Sequence, residues 1–450
     1  MSDPIVGIAT AAGEGGIAIV RLSGDGAADL FQQVFRPAGS RRPPYESHRL
    51  MYGHVVDGDE ILDECMGVVM YAPHTYTRED VCELHTHGGR VAAALVMKAL
   101  IRLGARPAEA GEFTRRAFMN GRIDLSQAEA VMGVISAQSA AALRAQEAQL
   151  EGGPSRFIRQ AQEDLTRLLA GLEAHIDYPD EIDESEALAG LTDGLNALIT
   201  RLESAVDERS ARILREGLRV ALCGRPNAGK STLFNAFLGE DRAIVTSIPG
   251  TTRDVLEESF SLDGVNVILS DTAGLRESDD EVERIGVERA RKALSRADAA
   301  LLLVDASRAL GPEEEALLLQ PMACPCAILL NKQDAGEAIH PADLADAAAG
   351  RPIFPISALN GEGLAPVLDF LRGFLSQPNQ WQLVQERHMA LARQAAARLR
   401  QAQAGLDVGA PLDLAAIDLH EALYLLGRIT GDSVDEQLLD DIFSRFCVGK

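Results

Sequence analysis

The chain has 450 residues, enough for two to four separately cored domains, with 46% hydrophobic and 24% charged residues and a net charge of −24. No run of about 18 uncharged apolar residues occurs, which argues against a membrane-spanning helix, and the start "MSDPIVGIAT" lacks the basic opening of a secretory signal. Six cysteines without paired CxxC motifs fit reduced thiols in a cytoplasmic protein better than a disulfide frame or a zinc site. Residues 1–118 carry 12 basic and 15 acidic side chains and residues 378–450 carry 7 and 10, so the middle holds −18. That balance opposes broad attraction to a nucleic-acid backbone, and any RNA contact must be local or come from a basic partner.

In chain order, "GIAIVRL", "MGVVMYA" and "VCELHTHGG" predict strands, and "VAAALVMKALIRLG" predicts a helix ending at Gly104, an α+β pattern over 1–118. His85 and His87 alternate on one strand and share a face. Without a third ligand at suitable spacing they read as satisfied polar groups more readily than as a metal pair. From 119 to 212, apolar residues recur at three- and four-residue spacing, predicting an all-α segment whose first helix is capped by Asp124 or Ser126. The acidic "DYPDEIDESEA" reads as a turn between helices. From 213 to 376 the pattern alternates: "LRVALCG", "VNVILSDTAG", "ALLLVDAS", "CPCAILLNK" and "RPIFPISA" are strands, with helices such as "KSTLFNAFLGE" between them. This predicts a mostly parallel sheet covered on both faces. Helical spacing resumes over 377–450, so the α/β unit reads as an insertion in a helical domain.

"GRPNAGKS", Gly224–Ser231, follows a strand and opens a helix, the context of a phosphate-binding loop. Its glycines let backbone N–H groups of Asn227, Ala228 and Gly229 face phosphates. Lys230 reaches the β and γ phosphates, and Ser231 binds Mg²⁺ with Thr232 beside it. In "NKQD", Asn331, Lys332 and Asp334 follow a strand, and a carboxylate there pairs with the N1–H and exocyclic amine of guanine, which adenine cannot match. Ser357, Ala358 and Leu359 form the loop facing the base. Asp271 binds Mg²⁺ directly or through a water, followed by Thr272, Ala273 and Gly274, whose N–H can meet the γ-phosphate. Thr252 in "TSIPGTTRD" is the switch threonine on Mg²⁺.

In signalling GTPases the residue after that last glycine is a glutamine that orients water; here it is Leu275. Arg253, Asp254, Arg276 and Glu283 are the nearby candidates for catalysis. Glu283 either orients the attacking water through a second water or is a surface carboxylate at a helix start, and spacing alone favours the surface role. Cys447, near the chain end, is a candidate nucleophile, with a packed or merely accessible thiol as the default.

"GRPNAGKS", "IPGTTRD", "DTAGLRESDDEVERIG", "NKQD", the terminal "FCVGK" and the earlier "GEGGIAIVRLSG", "CELHTHGG" and "GEFTRRAFMNGRIDLSQAEA" together closely resemble the MnmE/TrmE family of tRNA modification GTPases. The resemblance implies a P-loop GTPase domain inserted in a helical domain, preceded by a tetrahydrofolate-binding-like domain that helps form a homodimer. It implies K⁺ in place of an arginine finger, held by Asn227, Thr246, Ile248 and Thr251, in a nucleotide loop that also includes Ser247, Pro249 and Gly250. Pro249 stands where members often carry alanine. Glu283 matches the glutamate that orients water, and Arg276 a position that steadies paired loops. Arg21, Glu83, Arg122 and Lys450 match positions that bind a formyl-tetrahydrofolate-type donor, with Arg122 replacing a frequent lysine. The implied partners are an FAD-containing MnmG/GidA-type protein and tRNA, with modification at carbon 5 of the wobble uridine. Another class remains a rival: a ribosome-assembly or signalling GTPase without modification chemistry. A basic carboxyl-terminal domain would favour that rival, and residues 378–450 are slightly acidic.

Overall fold

A computed structural model describes residues 3–40, 42–178, 184–240, 257–271, 294–375 and 381–449. By internal contacts the chain divides into two compact units: Met1–Met132, Gln149–Thr200 and Leu391–Lys450 form one, and Gly133–Ala148 and Arg201–Ala390 the other.

The first unit opens with a seven-stranded sheet. Its strands are β1 (Ile5–Ile8), β2 (Ile17–Ser23), β3 (Phe35–Pro37), β4 (Met51–Asp57), β5 (Glu60–Met70), β6 (Val81–His87) and β7 (Arg106–Pro107), ordered β3-β4-β5-β6-β2-β1-β7. The pairs are antiparallel except β1 with β7. Period-two alternation sets the faces. Ala18, Val20 and Leu22 of β2 and Cys82, Leu84 and Thr86 of β6 are buried. The apolar ones join Phe31 of the helix Ala27–Val34 and Val96 and Leu100 of the helix Arg90–Arg102 in one core. The opposite face carries Arg21, Glu83 and His85, and Arg21 stands directly across from Glu83 in the ladder.

The helical part of this unit lays Gly153–Asp177 along Leu412–Thr430, and Glu184–Ser204 comes so close that a Cβ on Gly194 would lie 2.5 Å from Leu168 Cδ2. The stretch 124–153 forms two helices, Leu125–Ser136 and Ala140–Leu150, and most of the second belongs to the second unit. Asp124 caps the first: its Oδ1 accepts from Gln127 N (2.9 Å) while Gln127 Oε1 accepts from Asp124 N (2.9 Å), a reciprocal box. Ser126 lies inside the helix and is buried. Of the acidic stretch, Tyr178 ends one helix and Glu184 begins the next, and 179–183 lie outside the described residues.

The second unit contains a six-stranded sheet of β8 (Leu218–Cys223), β9 (Glu257–Leu262), β10 (Val265–Asp271), β11 (Ala299–Asp305), β12 (Cys326–Asn331) and β13 (Ile353–Pro355), ordered β13-β12-β11-β8-β10-β9. All pairs are parallel except the hairpin β9–β10. β11 and β12 are buried along their whole length, as expected when helices cover both faces. The chain runs from β8 to one side for β10 and to the other for β11, so the crevice at the carboxyl end of β8 is a topological switch point, where ligands of such sheets bind.

Candidate nucleotide and donor sites

The loop Gly224–Gly229 leaves β8 at that switch point and delivers Lys230 as the first residue of the helix Lys230–Glu240. The geometry depends on backbone freedom. Gly229 has φ +101°, and a Cβ on it would lie 2.2 Å from Asn331 Nδ2. Asn227 also adopts a left-handed conformation (φ +65°), which asparagine tolerates better than most residues. Its side chain is exposed, as are Ser231 and Thr232, whereas Ala228 and Lys230 are buried. Lys230 Nζ donates to the carbonyls of Gly224 (3.0 Å) and Arg225 (3.1 Å), which fixes a cation inside the loop. A buried ammonium at the start of a helix suits a polyphosphate.

Three motifs far apart in sequence meet through Asn331. Its Nδ2 donates to Ala228 O (2.8 Å) and its Oδ1 accepts from Ala358 N (3.0 Å). The backbone partners fix which end of the carboxamide is which: a carbonyl needs the NH₂ and an N–H needs the oxygen. The buried Asn331 is therefore a staple between the phosphate loop and the base-facing loop. Ser357, fully buried, donates to Asp334 Oδ1 (2.5 Å), so one edge of that exposed carboxylate is fixed while the other can meet a base. Leu359 is exposed beyond it.

Two contributors were missed in the sequence. Asp305, at the end of β11, accepts from Lys332 Nζ (2.7 Å) and from Ser307 Oγ (2.6 Å). Burial opposes ionisation of Asp305, but these hydrogen bonds outweigh it and hold its pKa below the ordinary carboxylate value. The buried Glu314 takes Arg308 Nη2 at 2.6 Å and lies 4.0 Å from Arg225 Nη1 of the phosphate loop. Asp305 was visible as the one charged residue of "ALLLVDAS", at the same carboxyl edge as Asn331. Nothing in the local pattern marks Glu314. Asp271 closes β10 on that edge. Thr246, Ser247, Ile248, Pro249, Gly250, Thr251, Thr252, Arg253, Asp254, Thr272, Ala273, Gly274, Leu275, Arg276 and Glu283 lie outside the described residues.

In the first unit, Arg21 Nε donates to Glu83 Oε1 (2.8 Å), and His85 Nε2 lies 3.0 Å from Glu83 Oε2. Burial works against the Glu83 carboxylate, yet His85 and Arg21 together lower its pKa. The chain end comes to the same place. Gly449 O accepts from Arg21 Nη1 (3.4 Å), Val448 bridges to Ala110, and a Cβ on Gly449 would meet Ile8 O at 2.2 Å. The Arg21 guanidinium stands 5.8 Å from the centroid of Phe113. Arg122 lies 4.8 Å over the ring of Tyr76. Cys447 is exposed and its carbonyl accepts from Gly111 N (3.4 Å); Lys450 lies outside the described residues. His87 faces Asp63 (2.8 Å) rather than His85.

A family model described as the GTP-binding protein TrmE N-terminus matches residues 4–122, and one for the MnmE helical domain matches residues 125–447. Proteins named tRNA modification GTPase MnmE from Chloroflexus aurantiacus, Symbiobacterium thermophilum and Geobacillus kaustophilus are 47%, 46% and 44% identical to this chain. Each alignment covers the whole chain and 99–100% of the relative.

The chain belongs to the MnmE family of tRNA modification GTPases. It is a GTP hydrolase of tRNA modification with an α/β P-loop domain set within a helical domain, after an α+β amino-terminal domain. In this MnmE-family GTPase, the candidate nucleotide-binding groups gather at the carboxyl edge of the second sheet. Hydrogen bonds spanning up to 103 residues of sequence tie Asn331 to Ala228 and Ala358 there, and Ser357 to Asp334. Among the described residues, no helix of this MnmE-family chain is long and apolar enough to cross a membrane.

Proposed function

We propose that the chain is a cytoplasmic, homodimeric, K⁺-activated GTPase with domains at 1–118, 119–212, 213–376 and 377–450. It works with an FAD-containing MnmG/GidA-type protein to add an aminomethyl-type group at carbon 5 of the wobble uridine of certain tRNAs. A formyl-tetrahydrofolate-type donor supplies the carbon.

The observation that carries the K⁺ reading is Asn227. Its left-handed backbone leaves an exposed carboxamide over the phosphate loop that makes no hydrogen bond among the described residues. That oxygen, with oxygens of Thr246, Ile248 and Thr251, suits a weakly hydrated monovalent cation. Bound there, K⁺ supplies positive charge where it develops in the transition state, which Leu275 cannot do. Ser231 and Thr252, with Asp271 directly or through a water, hold Mg²⁺. Glu283 orients the attacking water, and Arg253, Asp254 and Arg276 steady the loops.

The donor reading is supported by Arg21, Glu83 and His85 on one sheet face beside the carboxyl tail. Each Glu83 oxygen keeps a lone pair after accepting from its neighbour, which fits the amidine edge of a pterin. Arg122 and Lys450 suit the glutamyl carboxylates. The homodimer reading draws on the same face, where Ile17 (62%), Tyr52 (51%) and Met66 (40%) are left exposed, a large apolar share for a sheet surface. With a net charge of −24, RNA contact falls largely to the partner.

Two measurements test the proposal. GTP turnover in K⁺ buffer should exceed that in Na⁺ by tenfold or more, a gap of roughly 1.4 kcal/mol in barrier, and Asn227→Ala should abolish the gap. Equal rates in the two buffers would refute the K⁺ reading. Cells lacking the protein should lose the modified wobble nucleosides; unchanged nucleosides would remove the carbon-5 assignment.

A further inference from the structure

A second cleft of about 490 Å³ opens in the amino-terminal domain, lined by His48, Met70, His74, Tyr76, Arg78 and Arg122 among others. Two arginines, Arg78 and Arg122, line it, and they differ from several others of the domain in their partners. Arg21, Arg102, Arg106 and Arg116 of the same domain are each paired with a carboxylate. Arg78 and Arg122 have no ion-pair partner among the described residues: Arg78 Nη1 donates only to Asn120 O (3.0 Å), and the Arg122 guanidinium stands 4.8 Å from the centroid of the Tyr76 ring. In a chain this acidic, two unneutralised guanidiniums facing one cleft mark an anion site.

The backbone points the same way. Six described non-glycine residues have a left-handed φ, between +49° and +69°. Asn227 and Lys332 serve the nucleotide site; His48 (φ +62°) and Arg78 (φ +60°) both line this cleft. Such conformations cost free energy and gather where surrounding structure imposes them for function. His48 is held in place by Ser47 Oγ at Nδ1 (2.8 Å) and His74 O at Nε2 (2.9 Å).

The cleft adjoins the donor site through a shared aromatic wall. Tyr76, under Arg122, packs against the small cluster containing Phe113, and Phe113 lies under Arg21. A folate leaves its ring pocket as a flexible chain bearing one carboxylate for each added γ-glutamyl unit. We propose that Arg78, across the cleft from Arg122, binds the γ-glutamyl carboxylates of the folate donor beyond the first, so that the protein selects polyglutamylated over monoglutamylated donor. This rests on the folate reading above. Tethering by the ring raises the local concentration of the tail, so a shallow, open pair of cations suffices.

The test uses the full chain and measures affinity for 5-formyl-tetrahydrofolate carrying one or three glutamates. The triglutamate should bind about tenfold more tightly to the wild type, as two charge-assisted contacts allow. Arg78→Ala should reduce that ratio to about twofold while leaving the monoglutamate affinity unchanged, and Arg78→Lys should restore part of it. Equal binding of the two forms by the wild type, or equal loss of both in Arg78→Ala, overturns the inference and leaves the folate reading standing. Failure of the wild type to bind either form refutes both. A parallel titration with tRNA separates the other polyanion: if Arg78→Ala weakens tRNA binding and leaves the chain-length ratio intact, the cations serve phosphates and the inference is wrong.

Discussion

In the nucleotide site, the described groups come from turns that follow parallel strands. β8, β10, β11 and β12 end on one edge, and each delivers its polar residue there: the phosphate loop, Asp271, Asp305 and Asn331. In the proposed donor site, the groups sit on strand faces and on the chain end. Arg21 meets Glu83 across 62 residues and Gly449 across 428. The first arrangement follows from local chain direction, so short motifs announce it. The second exists only once a sheet has formed and the carboxyl tail has docked against it. The contrast also separates their mechanics: backbone freedom and a buried staple hold one site, and a half-buried charge network holds the other.

The largest effect should break the nucleotide site alone. Gly229→Ala forces a Cβ to 2.2 Å from Asn331 Nδ2 at a φ of +101°, displacing the staple. GTP affinity, followed by fluorescent nucleotide titration, should fall by 100-fold or more, roughly 3 kcal/mol. Folate binding should stay intact; its loss as well would show that the two sites are not independent.

Next, Asp305→Ala removes the partner of Lys332 but no group aimed at phosphate. GTP affinity should drop about 5- to 20-fold, in line with about 1–2 kcal/mol for a charge-assisted hydrogen bond, with little change in turnover at saturation. An unchanged affinity would show that Lys332 needs no positioning.

In the other region, Glu83→Gln leaves Arg21 without its counter-charge. Donor binding should weaken at least tenfold while basal GTP turnover is retained. Its pH dependence sharpens the point. Because the folded Glu83 titrates below the ordinary glutamate value of 4.5, its contribution to stability is complete above that value. It is lost as pH falls through the lowered one. The stability gap between wild type and Glu83→Gln, from urea unfolding, should therefore close in acid; a gap that widens would contradict the ion-pair account.

The smallest effect concerns neither site. Asp124→Ala removes the helix cap at Leu125 and should cost about 1 kcal/mol in unfolding free energy with both ligands bound normally.

The sequence read well where chemistry is local. The helix Lys230–Glu240 and the strands β8, β10, β11 and β12 appeared in their places because apolar runs and a glycine-rich turn leave few alternatives. β9 was missed although "DG" at 263–264 signals a hairpin; both residues adopt positive φ (+51° and +81°) in the turn to β10. The helix break at 137–139 was hidden because the apolar spacing continues through it. The short helix Glu436–Phe443 escaped notice, yet it buries Leu439 and Phe443 against Leu125 and places the tail.

Residue order alone pointed to a P-loop GTPase with an inserted α/β unit, because turn glycines, a following lysine and a carboxylate after a strand act through their immediate neighbours. Only the tertiary structure decided that Asn331 is a staple, that Asp305 positions Lys332, that Glu83 is shared by Arg21 and His85, and that Arg78 and Arg122 stay unpaired beside a cleft. Those facts depend on which strands lie side by side and which charges burial brings together, and no local pattern encodes a partner that lies far along the chain.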